Sequence, residues 1–247
     1  MKKRSQILNL LICIMLFTAA CKKDNPLPQP VVVETPKCFI KKVLNETNSQ
    51  ICDYNNQNKL IRTIDINGTD SVFTDFEYIG KVVTLKNPKT DLVQTFYLNN
   101  NGYADSATIY EAGKINIKIK MILNAEGYLI EQRQTGTITF GGTYPINEIN
   151  TIEYLNGNAI KITTNNLGTL SIVTYEYYAD KINYSAPSEE AQSFIKSNKK
   201  LLKKFTNEDG TFMNYLYLLD NNGKVMEIMK TNQANKVTNT FNTWFCK

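Results

Sequence analysis

No histidine occurs in the 247 residues. Its absence removes Ser-His-Asp and Cys-His nucleophile machinery and the commonest zinc and iron sites. Glycoside hydrolysis asks only for two carboxyl groups about 5–10 Å apart. Among 23 acidic residues, Asp75 with Glu77 and Glu189 with Glu190 are such pairs. Asp75 and Glu77 fall on one face of a strand, which a wet sheet face explains equally well. Asp220-Asn221-Asn222-Gly223 and Asn207-Glu208-Asp209-Gly210 offer oxygen ligands to Ca²⁺, but neither keeps EF-hand spacing. Turn chemistry accounts for both. No catalysis, no metal and no other cofactor is expected. The 14 tyrosines are the richer signal. Tyr97, Tyr175, Tyr177 and Tyr215, with Trp244, are candidate ligand-facing aromatics of a sugar-binding surface, because amphipathic rings stack on sugars and keep a polar tip wet. Tyrosine is also simply a good strand residue.

The cysteines and the first residues read as an address. Lys2, Lys3 and Arg4 precede an apolar run, Ile7–Phe17, that is too short for a comfortable span. Thr18-Ala19-Ala20-Cys21 has the form of a lipobox, which predicts cleavage after residue 20 and lipidation of Cys21. Each buried methylene of such a lipid contributes about 0.8 kcal/mol to anchoring. Residues 21–36 carry Pro26, Pro28, Pro30 and Pro36 and form an extended tether; residues 37–247 form one domain. The expected location is the outer membrane, on its periplasmic face or on the cell surface. Cys38, Cys52 and Cys246 then remain, an odd number in an oxidising compartment. Cys38 with Cys52 would staple the start of the domain. Cys246 with either would tie the two chain ends. Lys2, Lys3 and Arg4 also supply three of the five net positive charges. The domain therefore lacks the concentrated basic surface of a nucleic-acid binder. The one dense cluster, Lys199-Lys200 with Lys203-Lys204, suits a protected strand edge.

The elements behind these residues are hairpins. Phe96–Tyr110 places Asn99-Asn100-Asn101-Gly102 between two strand-like runs, and Asn and Gly reach positive φ cheaply. Looser copies begin at residues 54, 78, 123, 154, 178, 195 and 219. A recurring unit of 20–25 residues holds two strands of about eight residues and two turns, so eight units predict about sixteen antiparallel strands.

This pattern resembles the YD-type repeat of Rhs proteins, whose core is Tyr-Asp-x-x-Gly-Arg-Leu. Asp220, Gly223, Lys224 and Val225 match it best, with Leu219 in the Tyr place; Tyr54, Asn55, Lys59 and Leu60 come next. Asn mostly replaces Asp, and Lys replaces Arg. Over residues 50–247 the chain is similar to a family of uncharacterised Bacteroides-type lipoproteins, a resemblance that implies a porin-like β fold. Cys21-Lys22-Lys23-Asp24 is partly similar to a Bacteroides surface-export signal. Asp70-Ser71-Val72 and Asp105-Ser106-Ala107 resemble Bacteroides-type O-glycosylation sites, which would modify Ser71 and Ser106.

Alternation is clearest at Ile115, Ile117, Ile119, Met121 and Leu123, with Asn116, Lys118 and Lys120 between them. The fold class is all-β, an antiparallel meander of repeated hairpins curling into a half-open or closed barrel. One short helix is expected near 188–196, capped by Ser188, with Glu189 and Glu190 at its positive end. Lys118, Lys120, Lys161 and Glu176 fall in mid-strand, which argues against a membrane-spanning barrel. The functional expectation is a non-catalytic cell-envelope lipoprotein with a glycan or envelope protein as partner and no nucleic acid. The alternatives are a carrier of a lipid or other apolar ligand in the lumen and, behind it, a two-carboxylate glycoside hydrolase.

Overall fold

The structure, a computed structural model, describes residues 38–139, 141–184 and 194–246. Sixteen strands follow one another: β1 (Cys38–Asn45), β2 (Asn48–Tyr54), β3 (Leu60–Asn67), β4 (Asp70–Ile79), β5 (Val82–Asn87), β6 (Leu92–Leu98), β7 (Ala104–Glu111) and β8 (Ile115–Leu123). They continue as β9 (Leu129–Thr139), β10 (Thr143–Leu155), β11 (Asn158–Asn166), β12 (Thr169–Ile182), β13 (Lys200–Asn207), β14 (Phe212–Leu219), β15 (Val225–Asn232) and β16 (Val237–Cys246). Every strand pairs with its sequence neighbours, and β16 pairs antiparallel with β1, so the barrel is closed. Closure removes both sheet edges.

The repeated turn is a single device. Asn55, Asn99, Asn124 and Asp220 each accept, on Oδ1, the backbone N–H groups two and four residues on, at 2.8–3.2 Å. The fourth residue of the turn takes positive φ: Asn58, Gly102, Gly127 and Gly223. Asn232 builds the same turn at the opposite rim, with Asn235 in the positive-φ place. After each of the four turns the register shifts by one residue, as at Tyr54 opposite Leu60 and Leu219 opposite Val225. These are bulges of the glycine-turn type. The side chain that follows the glycine leans onto the next unit. A Cβ on Gly127 would sit 2.9 Å from Tyr103, and one on Gly157 2.7 Å from the Tyr128 hydroxyl.

Closure gives the strand alternation a direction. On β8, Ile117, Ile119 and Met121 are buried in the lumen, while Lys118 and Lys120 are exposed outside. The core cluster includes Leu60, Phe76, Val83, Leu85, Ala107, Leu129 and Phe194, and occupies the lumen on the β2–β10 side. The outer face carries cross-strand ion pairs, Arg62–Asp75, Lys86–Glu77 and Lys161–Glu153. Exposed pairs of this kind stabilise by at most about 1 kcal/mol; their information is which face is wet. Leu170, Leu216, Leu218 and Phe241 are exposed on the same outer face.

Two expectations change. Residues 188–193 of the predicted helix lie outside the described residues. Residues 194–196 are irregular, and Phe194 has φ 54°, which an α-helix does not accommodate. Instead, residues 194–199 run inside the rim of Asn-Gly turns. The Phe194 carbonyl accepts from Ala104 N–H at 2.7 Å, and the Asn198 side chain accepts from Ala159 N–H at 2.8 Å. Lys199 N–H donates to the Gly157 carbonyl at 3.1 Å. Phe194 packs 5.0 Å from Phe96. Among the cysteines, Cys38 and Cys246 form a disulfide across the β1–β16 seam. Cys52 keeps a buried thiol, which burial pushes up to about 11. Cys21 and the tether precede the described residues.

Candidate functional site

The register separates the candidate aromatics into two sets. Tyr97 lies opposite Ser106 and Val82 on the outside of the barrel and is 43% exposed. It shares no surface with the rest. Its neighbour Phe96 is the one that faces in, against Phe194. Tyr175 pairs with Phe205, Phe205 pairs with Met213, and Tyr215 pairs with Lys230, all on the lumen side of β12–β15. The Phe205 and Tyr215 rings are 6.3 Å apart, and Tyr215 and Tyr217 lie nearly parallel, at 15° and 6.5 Å. Tyr177 and Tyr217 line a cavity of about 390 Å³ with Ile228, Thr240, Asn242 and Lys200. Trp244 also faces in, but its Nε1–H donates to the Val225 carbonyl at 2.9 Å, beside the disulfide end of the seam. It is committed to structure.

These rings are half-buried. Burial raises the hydroxyl pKa of Tyr175, and that of Tyr215 rises from burial and then from the charge on Tyr175. The hydroxyls of Tyr175 and Tyr215 make no hydrogen bond to the described residues. Tyr178 fixes the wall from β12, its hydroxyl donating to the Tyr215 carbonyl at 2.8 Å. Asn207, Asn232, Asn242, Thr238 and Thr240 hold lumen-facing register positions around the rings. Asn242 donates to the Val225 carbonyl, Thr240 to Asn45 and Asn207 to Thr211, and the Asn232 carbonyl oxygen caps its turn, which leaves Thr238 and the Asn232 amide to face a ligand. The wall is therefore aromatic faces interleaved with amides and hydroxyls.

A second polar patch lies across β9–β11. Glu148 accepts from Gln134 at 3.3 Å and from Asn150 at 2.7 Å, and the Thr164 hydroxyl donates to Asn150 at 2.6 Å. A cavity of about 480 Å³ adjoins it, lined by Gln132, Asn150, Ile152, Tyr154 and residues 195–198. Burial and then the charge on Tyr128 push Tyr154 up to about 12. A third opening, of about 590 Å³, holds Gln50, Asp65, Asn67 and Asp70 near the β3–β4 turn.

The remaining candidates do not assemble. Asp75 and Glu77 face outward and are each bound to a cation, Arg62 at 2.5 Å and Lys86 at 2.8 Å. Glu189 and Glu190 lie outside the described residues. Ser71 and Ser106 sit on outer strand positions of β4 and β7. Asp220 spends its carboxylate on two turn N–H groups, and Asp209 binds Thr211, which holds its carboxyl below the usual range. Among the described residues no group of three potential metal-ligating side chains converges. Phe205, Tyr217 and Lys230 were not evident as site residues. Their signal was period-two placement on β13–β15, meaningful only once the strand register is known.

Comparison with solved structures places this architecture. A porin-like protein from Bacteroides uniformis ATCC 8492 superposes with a TM-score of 0.65 at 18% identity, covering 83% of this chain and 98% of that one. A porin-like protein from Bacteroides vulgatus ATCC 8482 gives 0.54 at 14% identity, with the same coverages. The chain shares their fold. No protein-family model matches it, and no curated protein does.

Proposed function

We propose that this chain is a non-catalytic, lipid-anchored binding protein of the cell envelope whose barrel lumen takes a glycan. The observation that carries the reading is the lumen wall of β12–β15. There Tyr175, Phe205, Tyr215 and Tyr217 stand among asparagines and threonines, away from the packed β2–β10 core. Stacking faces supply contact area, and amides read hydroxyl groups, which is the mixture a sugar needs. The envelope location rests on the lipobox at Cys21 and on the fold shared with porin-like Bacteroides proteins. The barrel stands off the bilayer in this reading. Its outer strands carry Lys118, Lys120, Glu176 and three cross-strand ion pairs, and a lysine facing the bilayer midplane costs about 2–4 kcal/mol.

Two other readings fare worse. An apolar-ligand carrier needs an oily void; Ile40, Val43, Leu202 and Ile228 line one such cavity, but Asn183, Asn198 and Asn242 interrupt it, and the β2–β10 side of the lumen is packed. A two-carboxylate hydrolase needs close acids in a cleft, whereas Asp75 and Glu77 point away from the lumen. The test is a glycan array probed with the full-length protein purified in detergent. Retention of one glycan class is expected, lost in Tyr175→Ala and Tyr215→Ala with thermal unfolding preserved. Retention of none, or retention untouched by both variants, overturns the proposal.

A further inference from the structure

We infer that the lumen site selects an anionic glycan, one bearing carboxylate or sulfate groups, and that Lys230 is the residue that reads the charge. This rests on the glycan-binding reading above and names the ligand class of the same wall. Lys230 pairs in register with Tyr215 on one side and Thr238 on the other, on the lumen face of β15. Parity fixes that orientation. Ile228, two residues back, lines the cavity shared with Tyr217, while Glu227 and Met229 pair with the exposed residues Leu218 and Leu216.

Lys230 is half-buried, and its ammonium makes no ion pair or hydrogen bond with the described residues. Its stem is packed beside Tyr215 and Thr238 while its ammonium has no counter-charge, which leaves the charge available to an anion that enters the lumen. The neighbouring strands place no carboxylate on the lumen face, and Glu46 is exposed in the β1–β2 turn. On β12–β16 and β1 the acids are Glu176, Asp180 and Glu227. Glu176 pairs with Lys204 and Glu227 with Phe241 on the outer face, and Asp180 is exposed beyond the β12 bulge. Glu208 and Asp209 lie in the β13–β14 turn, where Asp209 is bound to Thr211.

The lumen carboxylates belong to other walls. Glu148 is engaged by two amides on β10, and Asp65 is held by Gln50 at 2.8 Å on β3. Four strand spacings separate β15 from β3, roughly 19 Å along the wall, too far for Asp65 to pair with Lys230. Lys200 borders the cavity lined by Tyr177 and Tyr217. The ring wall thus carries Lys230 and no lumen-facing carboxylate, whereas Glu148 and Asp65, each tied to amides, lie on other walls. A uronate or sulfated sugar fits the ring wall, its ring on Tyr215 and its anion at the Lys230 ammonium.

The experiment measures binding of the full-length protein in detergent to a polyuronate, a sulfated polysaccharide and a neutral glucan, in low and high salt. An anionic polymer is expected to bind at least tenfold tighter than the glucan. Lys230→Gln and Lys230→Met should erase that preference, the latter keeping the aliphatic stem. Lys230→Arg should retain most of it, and Lys118→Gln on the outer face should leave it unchanged. Equal binding of neutral and anionic polymers, insensitive to Lys230, overturns the charge assignment and leaves the glycan reading standing. A preference lost equally in Lys118→Gln shows surface attraction and also overturns it. Binding of none of the three overturns both.

Discussion

Gly127→Ala tests whether the repeat is held by the stacking of each unit on the next. Gly127 has φ +91°, and an added Cβ would lie 2.9 Å from Cε2 of Tyr103. Gly210 has φ +82° in a similar turn, with nothing within 4 Å of the same Cβ. Both alanine variants place a side chain in left-handed backbone, at a cost of about 1–2 kcal/mol. Only Gly127→Ala must also move the Tyr103 ring, which adds about 1 kcal/mol for an off-rotamer side chain or local overpacking. Urea unfolding should therefore rank wild type, Gly210→Ala and Gly127→Ala in falling order of stability. A further 1 kcal/mol corresponds to about 2–4 °C in Tm for a domain of this size. Tyr103→Ala should abolish the difference between the two glycine variants, a coupling that a double-mutant cycle measures directly. Equal losses at Gly127 and Gly210, or strictly additive effects with Tyr103→Ala, would refute the stacking account.

Two more outcomes follow from the fold. Replacing Cys38 and Cys246 by serine removes a link that closes a 208-residue separation at the seam; a loss of about 2–5 kcal/mol is expected, read as a fall in the urea midpoint, and an unchanged midpoint would mean that strand pairing alone holds β1 to β16. Burial pushes Tyr78 and Tyr154 each up to about 12 from an ordinary 10. The folded state thus binds more protons between those values, and stability present in full below pH 10 should be lost as pH rises through 12. Tyr78→Phe and Tyr154→Phe should each flatten that decline in pH-dependent unfolding; a decline as steep as wild type in both would sink the assignment.

Turn chemistry was legible because it is local. Asn99 and Gly102 declare a turn from side-chain reach and permitted φ alone, and six of the eight expected units close hairpins; the unit begun at 178 runs as strand inside β12, and the one begun at 195 is the irregular segment ahead of β13, yet the count of sixteen strands holds. What required closure was not legible. Cys38 had two candidate partners until β16 met β1, a contact between residues 208 positions apart. The aromatic wall was half visible. Tyr175 and Tyr177 stood out on one strand, but Phe205, Tyr217 and Lys230 join them only through register across β13–β15. Tyr97 was grouped with them because Phe96-Tyr97-Leu98 is apolar on both faces, which leaves the direction of each side chain to the neighbouring strands. The segment ahead of β13 read as helical from caps and acids. Its described end instead spends its backbone groups on Ala104 and Gly157, a tertiary demand that no local propensity records.

The seam also bears on ancestry. Because each unit contributes two strands and pairs only with its neighbours, duplication or loss of a whole unit changes the circumference by two strands and nothing else. The chain would still begin and end on the same rim, and its first and last strands would still meet antiparallel. A half-unit change would carry the end to the far rim, turn the seam parallel and part Cys38 from Cys246. Cysteines at these two places therefore tolerate only even-numbered barrels, so the bond that fastens the cylinder also fixes the parity of its strand number.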